Sequence, residues 1–86
     1  MTIRLYTEDK NRALIKELVG EHFDGFSLIP CEGVWKGATE NGLIVEIVTT
    51  QRGAIGAANR IARLIKQRNN QEAVLVVVEK SHGHLV

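Results

Sequence analysis

Two stretches of helical apolar spacing are set among four of alternating spacing, in the order β-α-β-β-α-β. Ile3 and Leu5 alternate with Arg4 and Tyr6 across residues 2–7, the period of a strand. From Lys10 to Phe23, Leu14, Ile15, Leu18, Val19 and His22 recur at three and four, the spacing of an amphipathic helix. Thr7 or Asp9 is expected to cap it, and Asp24-Gly25 to end it. Phe26 to Cys31 alternates again, and Pro30, which has no N–H, predicts an edge or bent strand. Residues 32–37 continue as an extended arm or hairpin leg. Asn41-Gly42 supplies the turn signal from which a hairpin returns through Leu43 to Thr50. A second helix is predicted over Gly53–Arg68, with Ile55, Ala58, Ile61, Ala62 and Ile65 on one face and Arg52, Arg60, Arg63 and Lys66 roughly opposite. Asn69-Asn70 suits a left-handed helix end, and Ala73–Glu79 reads as a Val-rich last strand.

This order predicts an α+β, ferredoxin-like βαββαβ fold: a four-stranded antiparallel sheet with two helices on one face. The 86 residues make one domain, residues 1–86, with no room for a second. A sheet covered on one side should be polar on the other. Here Leu43, Val45 and Ile47 face one way while Ile44 and Val48 face the other, and Val74, Val76 and Val78 oppose Leu75 and Val77. Both faces are therefore apolar in two strands. Cover from identical subunits, in a dimer or trimer, is the expected arrangement.

The longest apolar run, Val74–Val78, is too short for a membrane span, and Met1-Thr2-Ile3-Arg4 lacks a signal-peptide core. One cysteine cannot form an internal disulfide framework, so a cytoplasmic protein is expected. The net charge of +1 conceals an asymmetry. Residues 1–46 carry five basic and eight acidic side chains, and residues 47–86 carry six and two. No acid lies between Ile47 and Gln71, so the second helix is either a solvated basic face or a surface for an anionic partner.

Thr49 to Gly56 joins a strand to a helix start, with two hydroxyls, Arg52, Gly53 and Gly56. A helix N-terminus favours phosphate, Arg52 can grip it bidentately, and Gly53 admits close backbone approach. No Walker or dinucleotide-binding pattern is present, and capping by Thr50 accounts for the segment equally well. Trp35, the only tryptophan, is followed by Lys36; the pair suits stacking on a base beside an anion, or packing at an interface. Glu46, inside an apolar strand, reaches solvent or is held by a partner, as a functional acid or by meeting an arginine across an interface, with Arg4 and Tyr6 sharing one face nearby. His82, His84, His22 and Cys31 match no metal motif in their spacing, so neither a metal nor a cofactor is expected. Cys31 has no base placed beside it for nucleophilic catalysis, and with 5% aromatic residues no interleaved basic–aromatic surface for nucleic acid is seen.

Phe23-Asp24-Gly25-Phe26-Ser27-Leu28, Gly33-Val34-Trp35-Lys36-Gly37, Glu40 and Ile44-Val45-Glu46-Ile47 together resemble a group of small bacterial and phage proteins of uncharacterised function. Their pattern is a Gly-x-Trp arm, a following acid and an alternating strand. Ile65-Lys66-Gln67 and Asn69 to Val76 fit the same pattern, so the resemblance spans residues 3–79. It implies a ferredoxin-like, PII-like fold and no particular activity. Val34-Trp35-Lys36, Ala58-Asn59-Arg60-Ile61-Ala62-Arg63, Val74-Leu75-Val76 and Ser81-His82 more distantly resemble phage S-adenosylmethionine lyases. That likeness implies PII-like trimers with ligand sites between subunits. Those enzymes carry a functional glutamate directly after the aromatic–basic pair, where this chain has Gly37; Glu40 is the nearest substitute.

The first expectation is a homo-oligomeric module that binds an anionic, nucleotide-like ligand between subunits. Trp35 would stack, Lys36, Arg52 and Arg63 would meet phosphate or carboxylate, and Thr50 and Gly53 would add polar and backbone contacts. In a phage, sequestering a host nucleotide signal would be its use. The second is an enzyme degrading S-adenosylmethionine through Glu40 or Glu46, and the third a protein-interaction module. Binding is favoured over catalysis, and nucleic acid, supported only by the basic second helix, is not the expected partner.

Overall fold

The computed structural model describes residues 1–80. Its elements run β1 (Thr2–Glu8), α1 (Arg12–Gly20), β2 (Ser27–Trp35), β3 (Ala38–Val48), α2 (Ala54–Arg68) and β4 (Leu75–Glu79). The strands form one antiparallel sheet in the order β2-β3-β1-β4, the ferredoxin-like arrangement. Pro30 lies in β2, an edge strand, as its missing N–H requires.

The core lies between the sheet and the helices. Ile3 and Leu5 of β1 and Leu43, Val45 and Ile47 of β3 are fully buried, against Ile15, Leu18 and Val19 of α1 and Ala58, Ile61 and Ile65 of α2. Small residues let α2 settle close to the sheet: Ala54, Ala57 and Ala62 are buried as well. Ile55, expected on this face, is 41% exposed, because the buried stripe is centred between Ala54 and Ala58 and Ile55 falls at its margin.

The helix ends depart in part from the sequence reading. Neither Thr7 nor Asp9 caps α1. Asn11, in the left-handed region, is the N-cap residue and makes no side-chain cap bond. Asp9 instead accepts two hydrogen bonds from the Arg12 guanidinium, at 2.7 and 2.6 Å. The helix stops at Gly20 rather than at Phe23, and Phe23 folds back so that its N–H donates to the Val19 carbonyl. Thr50 is likewise not the cap of α2, which starts from Gly53 at φ 74. The hydroxyl in that turn that does accept is Thr49 Oγ1, from the Gln51 N–H. At the other end, Asn70 adopts φ 53 and the Gln71 N–H reaches the Lys66 carbonyl, closing α2 as its sequence suggested.

The larger correction concerns the hairpin. Its turn is Lys36-Gly37, with φ 50 and 78, the double left-handed geometry of a two-residue type I′ connection. Asn41-Gly42 lies inside β3, opposite Glu32 and Cys31. Gly42 makes room there: a Cβ would stand 2.8 Å from Cys31 Sγ, which would have to turn aside. The strands are consequently longer than expected. Residues 32–41 project beyond the end of β1 as a two-stranded arm, since β1 pairing stops at Glu8–Gly42.

Candidate functional site

Register places Thr2, Arg4, Tyr6 and Glu8 of β1 on the face opposite the helices, together with Ile44, Glu46 and Val48 of β3 and Leu75, Val77 and Glu79 of β4. At its centre Arg4 Nε donates to Glu46 at 3.0 Å and Nη1 to Glu79 at 2.5 Å. Its guanidinium is held above its usual pKa by the hydrogen bond to Glu46 and then that to Glu79. Glu46 is thus partnered by an arginine of its own sheet. Around this triad the face stays apolar and open, with Val48 58% and Leu75 60% exposed beside Tyr6 and Ile29.

The arm bends across one end of this face. Its tip lies beyond β3 but meets Glu72, which precedes β4 on the far side of β1. Trp35 Nε1 donates to Glu72 Oε2 at 2.8 Å, and Lys36 Nζ donates to Oε1 at 2.6 Å. Both donors hold the Glu72 carboxyl below the ordinary glutamate range, Lys36 more than Trp35. Lys36 Nζ also stands 6.0 Å from the Trp35 ring centre. Glu72 is firmly placed because its neighbour Gln71 is buried. Gln71 Oε1 accepts from Thr7 Oγ1 at 2.8 Å and from the Glu8 N–H at 3.2 Å. A backbone N–H can only donate, which fixes the Gln71 amide this way round and leaves its buried Nε2 without a partner.

Under the arm is a groove of about 320 Å³. Tyr6 and Trp35 contribute its rings, and Glu8, Glu40 and Glu72 its carboxylates, with Cys31 and Leu75 completing much of the lining. Two aromatic rings with three acids suit a flat heterocycle and a cationic group. Lys36 Nζ at the rim is the nearby donor for an anion, and it is already engaged by Glu72.

The six residues expected in one ligand site fall in three places. Trp35 and Lys36 are at the arm tip. Thr50, Arg52 and Gly53 lie beyond the opposite end of β3, whose 11 residues span about 35 Å. Arg63 lines a separate groove of about 330 Å³ between α2 and β4, with Asn59 and Lys66. One ligand could touch all six only where copies of the chain meet. Glu72 carries no signal in the sequence, and Tyr6 is expected there only near Glu46 and not in a ligand site. Glu72 is 36 residues from Lys36, and no local pattern connects them. Among the described residues no group of three His, Cys, Asp or Glu is placed to hold a metal ion; His82 and His84 lie outside the described residues. No helix among the described residues is long and apolar enough to cross a membrane.

No protein-family model matches the chain, and no curated protein matches it in sequence. Among solved structures it is similar to a phage SAM lyase in its apo state, at 16% identity and TM-score 0.69, over 87% of this chain and 75% of that one. It is also similar to a DUF3240 family protein from Shewanella baltica OS155, at 16% identity and TM-score 0.70, over 99% of this chain and 94% of that one. Both directions of resemblance read in the sequence, small bacterial proteins and more distantly phage S-adenosylmethionine lyases, are therefore met among its structural neighbours. At this identity the likeness establishes a shared fold.

Proposed function

We propose that the chain is a small cytoplasmic ligand-binding module that works as a homo-oligomer and takes a nucleotide-like molecule in the groove under the β2–β3 arm. The observation that carries this reading is the groove itself, about 320 Å³ with Trp35 and Tyr6 on its lining. A base stacks on Trp35, and Lys36 meets the ligand's phosphate or carboxylate. Arg52 and Arg63, remote from the groove in one chain, join the site from a neighbouring copy, with Thr50 and Gly53 beside Arg52. The exposed apolar sheet face is the surface that copies would cover. Native mass spectrometry on freshly purified protein tests this directly. A dimer or trimer carrying a small-molecule mass is expected, and a bare monomer overturns the reading. In calorimetry with AMP, Arg52→Ala should cost about 2 kcal/mol of binding with the oligomer intact, as for a lost charged hydrogen bond.

A second reading is favoured by the acidity of the groove, where Glu8, Glu40 and Glu72 outnumber Lys36. A sulfonium beside two rings and three carboxylates would be well accommodated. The chain would then degrade S-adenosylmethionine, as the name of one structural neighbour suggests. Glu40, on the groove lining, would be the acid at work. Glu46 is held by Arg4 and does not line the groove. Incubation with S-adenosylmethionine and product analysis decides: absence of turnover at high protein concentration retires this second reading.

A further inference from the structure

The Trp35–Lys36 tip presents two N–H donors to one carboxylate, at 2.8 and 2.6 Å, the bond lengths of a bound anion. The carboxylate comes from the chain itself. All the groups are well exposed, the Lys36 and Glu72 side chains by 69% and 59%, so water competes and the contact is weak enough to exchange. Its position is nevertheless defined at both ends, by the type I′ turn on one side and by buried Gln71 on the other. A two-stranded arm unsupported by a third strand is also a pliant element.

We propose that Glu72 is the built-in occupant of an anion site formed by Trp35 Nε1 and Lys36 Nζ, and that it latches the arm over the groove until a ligand phosphate or carboxylate takes its place. This rests on the reading that the groove binds a ligand, and it adds how the groove opens. Arrival of the anionic group frees Glu72 to turn to solvent or to the ligand's own cation. The latch weakens the apparent affinity for the anion by the strength of an exposed ion pair, no more than about fivefold.

Trp35 is the only tryptophan, so its fluorescence reports the tip unambiguously. Acrylamide quenching without ligand should be greater in Glu72→Ala and in Lys36→Met than in the parent protein, with unchanged circular dichroism. Inorganic phosphate should raise quenching in the parent, relative to sodium chloride of equal ionic strength, and leave Glu72→Ala unaffected. With AMP the two variants should diverge: Glu72→Ala binds up to fivefold more tightly, and Lys36→Met more weakly. A merely structural strut would move both in the same direction. Equal quenching in parent and Glu72→Ala, or no response of the parent to phosphate, overturns the latch. Failure of AMP to bind any of the three proteins, with the quenching pattern as expected, leaves the latch standing and removes the nucleotide-like ligand.

Discussion

Glu72 belongs to no helix or strand, yet two donors from the far side of the sheet converge on it. Its carboxyl is held below the ordinary range chiefly by Lys36, so the charged form is favoured in the folded state. A depressed carboxylate pKa contributes stability that is fully present above the unfolded value and lost as pH falls through the folded one. Trp35 fluorescence should therefore change below the ordinary glutamate range, and the transition should be absent from Glu72→Gln. Asp9, lowered first by its hydrogen bonds with Arg12, titrates in the same direction without altering the tryptophan signal. Gly42 illustrates how one residue type serves two purposes. The Asn-Gly pair reads as a turn because glycine accepts positive φ, but here the glycine leaves space for Cys31 Sγ. The sequence exposes the residue and conceals which of the two constraints acts.

At the scale of elements, the two possible hairpin turns make opposite predictions. Gly37 is at φ 78, where an L side chain costs about 1 kcal/mol, so Gly37→Ala should lower the thermal midpoint by a few degrees. Asn41→Ala should leave it nearly unchanged, because the Asn41 side chain is exposed and its backbone, paired opposite Glu32 with the carbonyl accepting from the Asp9 N–H at 3.0 Å, is kept by alanine. The joint between α2 and β4 should be more sensitive. Gln71→Ala removes the side-chain acceptor of the half-buried Glu8 N–H, leaves the Thr7 hydroxyl only the Glu8 carbonyl at 3.3 Å, and should cost about 1 kcal/mol in a denaturant titration. Six elements and their order were legible in the sequence, since period alone separates strand from helix. The N-caps and the turn were not. Thr7, Asp9 and Thr50 all have the chemistry of a cap, and which polar residue caps depends on where the chain arrives from the preceding strand.

At the scale of the whole molecule, the apolar second face of the sheet is the unexplained cost of this sequence for a lone chain. Val48 and Leu75 are more than half exposed around a single ion-paired arginine. If copies cover this face, Val48→Glu should dissociate the oligomer in native mass spectrometry while the circular dichroism of the folded chain persists. Its side chain lies outside the core between sheet and helices, so the fold itself should tolerate the change. The six residues expected in a ligand site share a chemistry suited to an anion, and chemical type is what a sequence displays. Alternating and helical periods, the Asn70 helix end and the two-faced strands also follow from the sequence alone, because each depends on neighbours within a few residues. The arm's crossing of β1, the pairing of Trp35 and Lys36 with Glu72, and the separation of Arg52 and Arg63 from that groove were decided only by the tertiary structure. Those relations join residues tens of positions apart, and only sheet order and twist bring such residues together or hold them at opposite ends.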